Sequence, residues 1–205
     1  KRPEAAQAFE QAWRASGGKD VKSAYRAVKL FGDAGGTANA RECGRIALEL
    51  LDRLNGTPAE ALALYAFGRC VHGNWDRKTA AAIGEKVVQR NLVRDPARRA
   101  KLHYDVGDSL WNSGQRANAL NHYRRAWEQQ RESETYLRQL IGRLYDSGAK
   151  GNQIKPFVDE YKRRYPENRS YLGQALSNLA HAYARDKQTD LALAPAVEGL
   201  AHEPG

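Results

Sequence analysis

Apolar positions along this chain recur at helical spacing and not at strand spacing. The opening KRPEAAQAFEQAWR is amphipathic with charges throughout, and no run of β-branched residues alternates with polar ones. Helix punctuation is dense. Thr57-Pro58-Ala59-Glu60 combines an N-cap threonine, a proline at the first helical position and a glutamate that closes a capping box. Asp95-Pro96 opens a second helix in the same way, while Gly17-Gly18, Gly35-Gly36, Asn55-Gly56 and Ser147-Gly148 separate helical segments. The pattern predicts eleven helices, near 3–16, 20–32, 37–54, 59–72, 77–92, 96–112, 116–131, 134–147, 152–165, 170–186 and 189–202. Their connections are short, so successive helices should pack antiparallel.

One stretch repeats. Gly107 stands just before DSLWNSGQRANALNHYRRAWEQQ, with Ala119, Tyr123 and Ala126 following it at offsets of 12, 16 and 19. The same offsets from Ala180 reach Ala192, Ala196 and Gly199, and Pro204 lies 24 beyond it. Gly142 is followed by Tyr145, Ile154, Val158, Tyr161 and Pro166 at matching places. An earlier segment offers Leu64, Phe67, Gly68, Val71, Ala80 and Val87, with Gly84 where a bulky residue is expected. Taken as anchors, Gly68, Gly107, Gly142 and Ala180 are 39, 35 and 38 residues apart. Two antiparallel helices cross closely only where small residues meet, which is the expectation for Gly107 against Ala119 and Ala126, with Tyr123 filling the space beside them. Proline after the second helix ends it, and no pair alone buries its apolar face, so the pairs should stack.

This pattern resembles the tetratricopeptide repeat (TPR) family, closely from about Ala61 to Pro204 and more weakly from Lys1 to Leu54. In that first part KSAYRAVKLF and ARECGRIALELL give helices but an irregular pattern, and in the clearest repeat Arg131 replaces the family's proline. The resemblance implies an all-α fold, a right-handed α-solenoid of antiparallel helix pairs with about five repeats. Residues 1–205 would form a single solenoid, irregular over 1–56 and clearer over 57–205. The odd helix count and the lack of a polar capping helix after Pro204 suggest a piece of a longer array.

In TPR arrays the first helix of each pair lines a concave groove that typically holds an extended or helical segment of another protein. Carried over by spacing from each anchor, the groove would present Tyr65, Arg69 and His72, then Lys101, Tyr104, Asp108, Trp111 and Asn112. Further on come Gln139, Arg143 and Asp146, and finally Ser177, His181 and Arg185. Aromatic rings supply contact area at low entropic cost, and guanidinium groups grip carboxylates or backbone carbonyls. The family members that clamp a C-terminal carboxylate carry asparagine directly after the anchor. Arg69, Asp108, Arg143 and His181 occupy that place here, so that ligand is not expected.

Composition narrows the function classes. The chain is 41% hydrophobic and 28% charged, as a folding chain is, and apolar runs such as ALALYAF fall far below the ~20 residues of a membrane span. Cys43 and Cys70 form no CxxC or zinc spacing and sit among small apolar residues, where cysteine is usually a buried hydrophobe. None of His72, His103, His122, His181 and His202 belongs to a metal or nucleophile motif, and GDAGG at 32–36 lacks the lysine of a phosphate loop. No catalytic residue, metal site or cofactor is expected.

The net charge is +9, and residues 90–170 carry 17 Lys/Arg against 10 Asp/Glu, which favours an acidic partner. The sequence reading is therefore a non-catalytic scaffold that binds an acidic peptide or protein segment in the groove. One alternative is a basic surface binding RNA or DNA, drawn from Tyr161-Lys162-Arg163-Arg164-Tyr165. Another is a scaffold of a bacterial envelope export system. Cytoplasm and bacterial periplasm both suit this composition.

Overall fold

A computed structural model describes residues 1–72 and 75–202, apart from the side chain of Thr57. Among these residues there are eleven α-helices and no strand. They are α1 Arg2–Ala15, α2 Val21–Ala34, α3 Thr37–Leu51, α4 Gly56–Val71, α5 Arg77–Gln89, α6 Pro96–Asn112, α7 Arg116–Gln129, α8 Glu134–Asp146, α9 Gly151–Arg164, α10 Arg169–Arg185 and α11 Thr189–Leu200. The expected all-α repeat of short-linked helices is what forms. Side-chain caps start many of them. Asp20, Asp76, Asp95, Ser133 and Asn168 each accept from a backbone N–H in the first turn, and Pro96 follows Asp95 at the first helical position. Helix α4 departs from expectation. It begins at Gly56 with Asn55 as its N-cap, ahead of the expected threonine start, and the Thr57 side chain and Pro204 lie outside the described residues.

The chain divides into two compact units, Lys1–Ala119 and Leu120–Gly205. In the first, successive helices from α1 to α6 pack side by side, while α2 also touches α4 and α3 touches α5. Even- and odd-numbered helices thus form two layers. In the second unit α8 packs on α9, α9 on α10 and α10 on α11, with α8 also reaching α10.

The buried positions of the even helices correct the repeat register. Paired buried residues sit at Ala27 and Val28, Ala66 and Phe67, Val106 and Gly107, Leu140 and Ile141, and Leu179 and Ala180. Gly107 and Ala180 therefore match Phe67 and Ile141, one residue before the expected anchors Gly68 and Gly142. A Cβ built on Gly68 or Gly142 would meet nothing within 4 Å. Close approach falls on other glycines. A Cβ at Gly84 would collide with Val106 and lie 3.1 Å from Phe67, so the bulky neighbours explain the absent side chain. Gly44 abuts Thr79 and Cys70, Gly151 abuts the Tyr183 ring, and Gly173 and Gly199 set the α10–α11 crossing.

Polar ties join neighbouring repeats at separations of 35 or 36 residues. Arg53 donates to the Gly18 carbonyl at 2.5 Å, Arg90 to that of Leu54 at 2.6 Å, and Arg185 to that of Ala149 at 2.6 Å. The Gly151 N–H donates to Asp186 at 2.9 Å across the same interval. Each satisfies a carbonyl or amide where a helix ends or begins, which would otherwise need water.

Candidate functional site

The even-numbered helices carry the expected groove residues, and the two units are taken in turn. In the first unit, Tyr65 and Arg69 on α4 are half-buried and reach back to α2. Tyr65 Oη donates to the Lys29 carbonyl at 2.9 Å and to Asp33 Oδ1 at 2.7 Å, and Arg69 Nη2 reaches the same Asp33 oxygen at 2.7 Å. Lys29 Nζ stands 3.8 Å from the Tyr65 ring centroid. The hydroxyl of Tyr65 holds the Asp33 carboxyl below the usual range, and burial together with Asp33 raises the phenol of Tyr65. These residues clasp α4 to α2. His72, the C-cap residue of α4, is exposed and meets Trp75 edge to face at 5.0 Å.

The burial-matched register shifts the equivalent positions on α4 by one residue. The offsets that place Tyr104, Asp108, Trp111 and Asn112 relative to Gly107 reach Leu64, Gly68, Val71 and His72 when counted from Phe67. Leu64, Gly68 and Val71, with Phe67, Val93 and Leu102, line an open recess of about 430 Å³ between α4 and α6. Arg98, Lys101 and Asp105 complete its lining. Sequence reasoning missed this recess because it took Gly68 for a packing residue; the burial-matched phenylalanine beside it was the usable signal.

On α6, Lys101 is exposed and pairs with Asp105 at 2.5 Å. Tyr104, Asp108 and Trp111 are half-buried and Asn112 is exposed. The Asn112 amide donates to the Asp108 carbonyl at 2.8 Å, and the Arg116 guanidinium lies 5.3 Å from the Trp111 ring. By helical spacing Lys101, Tyr104, Asp108, Trp111 and Asn112 lie along one side of α6.

In the second unit, Arg143 stands 5.9 Å from the Tyr123 ring and 3.7 Å from Asp146, with half-buried Gln139 on the same helix. On α10, Ser177 is half-buried and His181 exposed, while Arg185 is spent on the Ala149 carbonyl and lies 5.9 Å from the Tyr145 ring. The corrected register from Ile141 brings Arg138 and Gly142 into line on α8; the Arg138 guanidinium sits 4.4 Å over the Tyr171 ring.

The basic run on α9 is paired. Lys162 meets Glu198, Arg163 meets Glu160 at 2.8 Å, and Arg164 bridges Glu132 at 2.8 Å and Glu160 at 2.5 Å. Tyr161 is fully buried, with its hydroxyl donating to Glu134 at 2.6 Å. The hydrogen bond from Arg164 holds the Glu160 carboxyl low.

Among the described residues no group of three or more His, Cys, Asp or Glu is placed to hold a metal, and no helix is long and apolar enough to cross a membrane. Cys43 and Cys70 are free and fully buried, and burial pushes both thiols up to about 12. His103 and His122 are buried, and burial with the nearby Arg125 pushes His122 down to about 4.

No family model and no curated protein matches the chain. Solved structures do. YrrB, described as a TPR protein with an unusual peptide-binding site, aligns over 98% of this chain and 94% of its own at 18% identity and a TM-score of 0.58. MamA aligns over 80% of this chain and 89% of its own at 14% identity and a TM-score of 0.51. BtubC (BKLC) from P. vanneervenii aligns over 100% and 91% at 13% identity and a TM-score of 0.51. The fold is thus of the TPR type, as the repeat implied.

Proposed function

We propose that this chain is a non-catalytic protein-interaction scaffold that holds a segment of another protein against the solvent-facing side of its even-numbered helices. The observation that carries the reading is the face shared by α4 and α6. There an open apolar recess of about 430 Å³ adjoins a strip of half-buried Tyr104, Asp108 and Trp111 with exposed Asn112. Apolar floor beside polar rim is the composition of a segment-binding surface. The similarity in fold to YrrB, a protein with a peptide-binding site, supports the same class of partner. The excess of positive charge favours an acidic one.

Nucleic-acid binding through 161–165 has less support, because the three cations of that run already neutralise Glu132, Glu160 and Glu198. The test is a peptide array of varied charge and hydropathy, probed with the purified chain and with Tyr104→Ala and Asn112→Ala together. Selective binding of acidic peptides, weakened in the double variant without loss of thermal stability, is the expected result. Binding to no peptide, or binding indifferent to the double variant, would overturn the assignment.

A further inference from the structure

We infer that the α4–α6 recess seats one large apolar side chain, leucine or phenylalanine, of the bound segment, and that carboxylates flanking this residue meet Arg98 and Lys101. The inference rests on the peptide-scaffold reading and gives it a chemical specificity.

The floor is apolar. Leu64, Phe67, Val71, Val93 and Leu102 supply it, and about 430 Å³ is just under three times the ~150 Å³ in which an apolar protein cavity admits benzene. Gly68, part of the recess lining, is exposed within α4, with nothing within 4 Å of where its Cβ would stand. A glycine inside a helix weakens it and normally has a packing reason. Gly32, Gly44 and Gly84 in the same unit have one, since each would strike a neighbouring side chain, and Gly68 has none. What its missing side chain provides is close access for an incoming chain to the backbone of α4.

The rim selects charge. Its charged lining is Arg98, Lys101 and Asp105, two cations and one carboxylate. Arg98 and Lys101 pair with Glu60 at 3.1 Å and Asp105 at 2.5 Å; the two cations are 61% and 68% exposed, while the carboxylates are partly covered. Such pairs are weak and exchange readily for a ligand carboxylate. Arg94, next in the chain to Val93 of the floor, is also exposed. An aliphatic residue between acidic neighbours matches both features, and a basic or wholly polar segment matches neither.

The probe is a fluorescein-labelled nonapeptide with a single leucine between two pairs of glutamates. Its controls carry serine for the leucine, or lysines for the glutamates. Binding is read by anisotropy against the wild-type chain, Gly68→Leu, and Arg98→Glu with Lys101→Glu. The leucine–glutamate peptide should bind at least about tenfold more tightly than either control, as loss of a buried anchor demands. Gly68→Leu fills the recess from within and should lose that preference with an unchanged or higher melting temperature. The charge-reversed variant should prefer the lysine peptide. Hydrogen exchange on the wild-type chain gives a second readout independent of any variant's folding, with protection on peptide addition expected over 64–71 and 98–105. Equal binding of the serine peptide, full binding to Gly68→Leu, or protection confined to other segments would overturn this anchor while leaving the broader scaffold standing. Failure of all three peptides to bind would overturn the anchor, and the array experiment then decides the scaffold separately.

Discussion

Glycine has opposite meanings at Gly84 and Gly68. At Gly84 a Cβ would run into Val106 and press on Phe67 at 3.1 Å, so the residue is a condition of packing α5 against its neighbours. Gly84→Leu should cost about 1–3 kcal/mol or more by overpacking. Gly68→Ala adds a methyl group into open space and relieves the backbone entropy of a helical glycine, so a gain of about 0.5–1 kcal/mol is expected. Thermal melts of the two variants beside wild type check the pair, and similar tolerance at both sites would show the register of α4 and α5 to be wrong. The two cysteines offer another measurement at this scale. Fully buried thiols held at about 12 are neutral at ordinary pH and shielded from reagent. Labelling by an aromatic disulfide should therefore follow global unfolding in denaturant, with prompt native-state labelling as the contrary result.

At the scale of the helix, most starts and stops were legible because capping chemistry is local. Asp95-Pro96 and Ser147-Gly148 each act within a few residues of sequence, and they end or begin helices where expected. Register was less legible, because the letter glycine does not say what stands opposite it. Gly68 and Gly142 looked like crossing points, whereas the burial pattern places Phe67 and Ile141 there. For the same reason the letters of Tyr65 and Arg69 do not show the neighbour on α2 that both reach.

That neighbour is Asp33, and it makes a testable clasp between α2 and α4. Asp33→Ala removes the acceptor of Arg69 and one of the two at Tyr65, leaving the Lys29 carbonyl, and should cost about 0.5–1.5 kcal/mol, within the ordinary range for a partly exposed hydrogen bond. A double-mutant cycle with Tyr65→Phe should show coupling, and simple additivity would mean the contact contributes nothing. The pH sign follows from the depressed carboxyl. Its folded value lies below the unfolded one, so the stabilisation is complete above the unfolded carboxylate range and is lost as pH falls through the folded value. Wild type should therefore lose more stability than Asp33→Ala on acidification below the ordinary carboxylate range.

For the molecule as a whole, the question is what a net charge of +9 is for. A run such as Lys162-Arg163-Arg164 reads in sequence as a phosphate-binding patch, yet each of these cations has a carboxylate partner, and two of them reach beyond α9. Lys162 meets Glu198 on α11, and Arg164 meets Glu132 ahead of α8. Replacing all three with alanine should consequently act on stability. A lower melting temperature is expected, since the pairs to Glu132 and Glu198 tie α9 to segments outside it. Binding of an acidic peptide at the α4–α6 face should be unchanged in this variant. Duplex DNA separates the two readings further. Each phosphate contact would lower log K by about 0.9 per unit of log salt, so a protein gripping phosphates through three cations would lose a slope of nearly three on their removal. The expected finding is a salt slope that the triple variant leaves unaltered, alongside a lower melting temperature. A steep slope that collapses in the variant, with thermal stability intact, would make the ion pairs incidental and return the basic run to nucleic-acid binding.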